Sequence, residues 1–200
     1  MRFVRRAWGT PVLAAVDASA GRSCRCAICL HVSRLVNADA FRHLYGYHFA
    51  ENRALWERCI AQLSREQFMQ PVDYSRGSIR DQFVHLMDAD AVWFSELRDV
   101  EPPAEVALAV DDDWAQLRDR WDRIELDMRE YLSTLRDEML LAQPIREPEE
   151  DQVLYVWQVL LHVVNHGTDH RAQLLRVLHD LGVETTSQDY IFYAYDNPLS

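Results

Sequence analysis

The sequence predicts an all-α protein, a four-helix bundle with a long connection between its second and third helices. Three observations carry this expectation. Four segments repeat their apolar residues at three- and four-residue steps, the period of an amphipathic helix. Stretches rich in proline, glycine and acidic residues separate them, and no alternating strand pattern or internal repeat occurs elsewhere.

The first helix is expected over residues 37–63, where Phe41, Leu44, Tyr45, Leu55, Trp56, Cys59 and Leu63 share one stripe. "SREQF" and "QPVDYSRGS", with Pro71 and Gly77, read as a connection. Ser78, followed three residues later by Asp81, resembles a capping box that opens the second helix, which runs to about Leu97. "EPPAEVALAVDDD" then forms a loop, because the paired prolines stop the helix. The acidic run Asp111 to Asp113 suits the N-terminus of a third helix continuing to about Leu135. "AQPIREPEED" leads to a fourth helix over residues 152–181, which Gly182 terminates as the C′ residue. The aromatic tail "SQDYIFYAYDNP" is expected to lie over the bundle.

Two hundred residues with 48% hydrophobic and 26% charged side chains suit one soluble domain with a real core. The net charge of −11 argues against nucleic acid as a partner, since phosphates need a basic surface. No apolar run approaches the roughly 18 residues of a membrane span. Residues 1–35 differ from the rest: they hold six Arg against one Asp, leaving the remainder of the chain at −16. Their apolar stretch is shorter than the roughly 7–15 residues of a secretory signal. The cluster Cys24, Cys26, Cys29 with His31 is too cramped, and lacks a second pair, for a structural zinc site. Residues 1–35 are therefore expected to be a disordered extension ahead of a bundle domain over 36–200, in a reducing cytoplasm. Cys59 reads as a small buried hydrophobe.

The fourth helix, "LLHVVNHGTDHRAQLLRVLHDLG", carries His162, His166, His170 and His179. At 100° per residue, His166 and His170 fall inside the edge of its apolar arc, one turn apart, so both rings can face the same point. His162 projects to the polar side near Asp169 and Gln173, and His179 suits a helix C-terminus. A third ligand has to come from another helix. His48, on the apolar stripe of the first helix beside Asn52, and His85 in the second are the candidates; periodicity alone favours His48, because His85 lies well off the Ile79–Phe83–Leu86–Leu97 stripe.

Other chemistries are excluded by residue type. No His has Glu three residues before it, as a di-iron bundle requires. The His-Glu-x-x-His zinc motif, the P-loop, the glycine-rich dinucleotide turn and the Gly-x-Ser-x-Gly elbow are all missing.

"SIRDQFVHLMDADAVWF" together with "LLHVVNHGTDHRAQLLRVLHDLG", "YGYHFAENRALW" and "SQDYIFY" resembles the DinB family over about residues 37–195. Ala50–Glu51 and Ala172 depart from the commoner family residues, and neither removes a ligand. The resemblance implies a four-helix bundle, often dimeric, with a divalent metal held by His85, His166 and His170. It also implies a small-molecule substrate, a metal such as Zn, Ni, Fe or Mn, and transfer of a low-molecular-weight thiol, with hydrolysis as the alternative. His48 and Asn52 are the candidates for contacting substrate or supporting the site; hydrogen bonding within the core is the competing role. Asp81 and Asp88 flank His85 and could orient its far nitrogen, although capping explains Asp81 equally well. A non-enzymatic metal-binding bundle predicts no open cleft at the metal, and a metal-free one predicts His85 turned away.

Overall fold

Three of the helices begin where a side chain accepts from one of their first free N–H groups. The computed structural model describes residues 37–103, 114–147 and 152–198. Helix α1 (Ala38–Arg58) opens at Asn37, whose side-chain oxygen accepts from the Ala40 N–H at 2.7 Å. It ends earlier than periodicity suggests: Cys59 leaves the helical region, and a 3₁₀ turn (Ile60–Gln62) carries the apolar stripe on to Leu63. The "SREQF" segment is not a plain connection but a short helix, α2 (Arg65–Met69). Ser64 and Gln67 form a reciprocal cap there, and Phe68 is buried beneath it.

Helix α3 (Ile79–Arg98) opens with the expected Ser78–Asp81 capping box. Helix α4 (Trp114–Thr134) follows; the acidic run expected to start it lies outside the described residues, as does most of the long loop before it. Past a second 3₁₀ stretch (Asp137–Leu141), strands β1 (Ile145–Glu147) and β2 (Gln152–Leu154) pair antiparallel, Ile145 opposite Leu154. Residues 152–154 were expected to be the first turn of the last long helix. The β-branched Ile145 and Val153 suit paired strands better, so helix α5 (Val156–Asp180) starts later. Its end is as expected, with Gly182 in the left-handed region at φ 80°.

Helices α1, α3, α4 and α5 form the bundle around Tyr45, Leu55, Phe83, Leu86, Met87, Met128, Leu160 and Leu174. The α3–α5 contact is the most extensive of these. Helix α3 is buried around most of its circumference, from Ile79 through Leu97. The tail lies over α1, as expected, and coils into a short helix α6 (Tyr190–Asp196). The Tyr47 hydroxyl donates to the Gln188 carbonyl at 2.6 Å, and His43 meets the Tyr190 hydroxyl and the Asn197 carbonyl. No helix among the described residues is long and apolar enough to cross a membrane. The expectations for residues 1–35, including Cys24, Cys26, Cys29 and His31, lie outside the described residues. Cys59 is a buried free thiol.

Candidate metal centre

Helix α5 presents His166 and His170 one turn apart, and the tight α3–α5 contact brings His85 against both. The Nε2 atoms of His85 and His166 lie 3.2 Å apart. Ring centroids are separated by 5.1 Å for His85–His166, 4.7 Å for His85–His170 and 4.4 Å for His166–His170. One donor nitrogen from each ring falls within 4.8 Å of the others. Donors around a tetrahedral zinc at about 2.0–2.1 Å stand about 3.3 Å apart, so the closest pair already has ligand spacing.

Protonation favours the same role. Burial pushes His85 down to about 4, helped by the Arg76 guanidinium and by the repulsion that a protonated His170 would add. His166 falls to about 3, through burial first and then through His170, His85, His162 and Arg76. His170 is also lowered, by burial and by Arg76, against an opposing pull from Asp169. All three rings are therefore neutral at pH 7, the form that binds metal without first losing a proton. His170 Nδ1 is buried with no hydrogen-bond partner, an orphaned atom in a donor set that fits a divalent cation. Among the described residues, no Cys, Asp or Glu joins the group.

Behind the three rings, α5 meets α1 through a buried polar chain. Arg171, fully buried, donates from Nη1 to Asn52 Oδ1 at 2.8 Å and to His48 Nδ1 at 3.2 Å. With Nδ1 accepting, the His48 proton sits on Nε2 and is donated to Asp90 Oδ2 at 3.1 Å. Gly167 makes this approach possible. A Cβ at that position would stand 2.5 Å from His48 Cε1, 2.9 Å from His48 Nδ1 and 3.1 Å from Arg171 Nη1. His48 is held at both ring nitrogens and has nowhere to move. Gly167→Ala is thus expected to destabilise the protein: overpacking costs about 1–3 kcal/mol, more than the roughly 1 kcal/mol that alanine gains over glycine inside a helix. Urea unfolding would show this as a lower midpoint; an unchanged or higher midpoint would mean that α1 and α5 have slack.

The structure thus joins His85, His166 and His170 and leaves His48 out, the reverse of what periodicity favoured. His48 and Asn52 do not face a substrate space: they are 0% and 3% exposed and bond within the core. Their influence on the site is through the backbone of α5. Asp81 is committed to the Ser78 cap and Arg80, and Asp88 pairs with Arg120 at 3.0 Å. His162 is exposed, edge-on to Trp93, at the rim of a shallow depression of about 370 Å³ lined also by Trp157, Gln158, Leu161 and Asn165. His179 is exposed at the end of α5, as expected. Arg171, Asp90, Gly167 and Arg76 were not singled out from the sequence. A glycine in mid-helix was the available signal for the first three, since such a glycine usually marks a close packing contact.

A helical bundle in which three imidazoles from two helices could hold a metal ion is the class that fold and site define. The chain belongs to the DinB family, whose model matches residues 35–198. It is 24% identical over 164 residues to Protein DinB of Bacillus subtilis (strain 168), an alignment covering 76% of this chain and 92% of that protein. A crystal structure of a DinB family member from Shewanella denitrificans is similar at 16% identity and a TM-score of 0.47, over 77% of this chain and 86% of the other.

Proposed function

We propose that the protein is a divalent-metal-dependent enzyme that transfers a low-molecular-weight thiol to an electrophilic small molecule. The observation that carries this reading is the donor set: three neutral imidazoles converge and, among the described residues, no fourth protein ligand joins them. A sealed structural site has four protein ligands, whereas three leave room for a thiol or water. A bound Zn, Ni, Fe or Mn ion would lower the pKa of that thiol or water towards neutrality. His85, His166 and His170 would hold the ion, and the Arg171–His48–Asp90 chain would fix the segment of α5 that carries two of them. In the reaction the thiol proton passes to solvent, sulfur bonds to the electrophilic carbon, and the leaving group departs with its electron pair. Hydrolysis is the second reading, since the same donor set suits water as well as thiol. The family resemblance and the exposed Ile191, Phe192 and Tyr195 of α6 support a homodimer, and we place it in the cytoplasm.

The test is a conjugation assay with a panel of thiols and electrophiles, run on metal-loaded and chelated protein, with ester and amide substrates in parallel. Conjugation that disappears on chelation and returns with metal is the expected result. Ester or amide turnover alone would favour the hydrolase, and equal rates in loaded and chelated protein would remove the metal from the chemistry.

A further inference from the structure

The turn that leads into α3 carries an arginine between the two helices that supply the three imidazoles. The Ser75 hydroxyl donates to Gln173 Oε1 on α5, three residues beyond His170, and Gln173 Nε2 in turn donates to Asp169 Oδ2 at 2.9 Å. On the other side of Arg76, Gly77 and the doubly bonded Ser78 cap fix the start of α3, the helix of His85. Arg76 is therefore tied between the two helices that supply the ligands. Both of its neighbours lie in the left-handed region, Ser75 at φ 56° and Gly77 at φ 96°. For a serine that conformation is strained, and it persists only where the surroundings impose it.

Arg76 is exposed, and among the described residues it forms no hydrogen bond or ion pair. Gln173 stands one helical turn beyond His170 and Ser78 about two turns before His85, so the turn holds Arg76 within reach of the centre, in keeping with the lowering effect of its charge on all three imidazoles. In a chain of net charge −11, an arginine held at that spot by a strained turn, and unmatched among the described residues, is open to a ligand. A guanidinium offers two parallel N–H groups that match a carboxylate.

We propose that Arg76 determines specificity: resting on the metal-dependent thiol reading, its guanidinium pairs with a carboxylate of the incoming thiol while the sulfur enters the three-imidazole centre. The substrate class is then a carboxylate-bearing thiol and not a neutral or cationic one.

The test uses the full chain loaded with Co(II), whose thiolate absorption band reports binding without turnover. Mercaptoacetate and mercaptopropionate are titrated against mercaptoethanol for wild type, Arg76→Gln and Arg76→Lys. Wild type should prefer the carboxylate thiols. Arg76→Gln should weaken them by about fivefold, the upper range for an exposed ion pair, while mercaptoethanol and cobalt binding stay unchanged; Arg76→Lys should retain part of the preference. An unchanged preference in Arg76→Gln, with cobalt and thiol binding normally, overturns the role of Arg76 and leaves the metal reading intact. Failure of the wild type to take up cobalt, or to show a thiolate band with any thiol, overturns both.

Discussion

Replacing Arg171 with methionine is expected to cost about 3–5 kcal/mol of stability, the range for removing one partner of a buried charged network. Arg171 is 0% exposed, and burial pulls its guanidinium below its ordinary range while Tyr47, Asp90 and Glu51 hold it up. Four of its N–H groups each reach a different side chain. Besides Asn52 and His48, Nε donates to Gln188 Oε1 at 3.0 Å and Nη2 to Thr168 Oγ1 at 3.2 Å. Methionine fills much of the same volume but leaves those acceptors dry and unmatched. The larger cost falls on Asp90. It is 1% exposed, its Oδ1 has no partner, and its Oδ2 is reached only by way of His48. Without the arginine, nothing in that chain carries a permanent positive charge. Urea unfolding of Arg171→Met should show the loss, and Arg171→Met combined with Asp90→Leu should recover part of it, because the stranded carboxylate is gone. A single variant within about 1 kcal/mol of wild type would mean that the network contributes little.

The consequence reaches the site, since Arg171 follows His170 directly and Gly167 follows His166. The α5 ligands are therefore set on a helix whose rear face is locked to α1. This is why His48 and Asn52, although they touch no open space, bear on the geometry of the centre.

Much of this was legible in the chain, and particular residues show why. The Ser78–Asp81 cap, the Gly182 terminus and the four periodic stripes are local signals, so they located the bundle helices without tertiary information. The His166–His170 spacing is local too. His85 is different: its distance from the apolar stripe of α3 argued against it, because a one-sided stripe assumes a helix with one wet face. Helix α3 is covered on most sides, so its inward-facing positions exceed any single stripe, and only the family resemblance pointed to His85. The strand pair 145–147 and 152–154 left no sequence signal because three-residue strands are too short to show alternation. Arg171 and Asp90 escaped because charged residues are rarely buried, and the chain of bonds that permits it runs through His48, 42 residues from Asp90 and 123 from Arg171.

If three imidazoles act together on one cation, His170→Ala should have the largest effect of any single change. His170 is buried between the other two rings' reach, and its loss leaves two donors from separate helices with no third to close the set. Disturbing a mere supporting residue of a metal site typically weakens binding by about 10–100-fold, so removing a ligand should weaken it by at least about 100-fold. The measurement is metal content and affinity, by elemental analysis and titration, for wild type and His170→Ala purified side by side. A full equivalent in wild type and a near-empty variant that remains folded is the predicted result; equal metal content in the two proteins would contradict it.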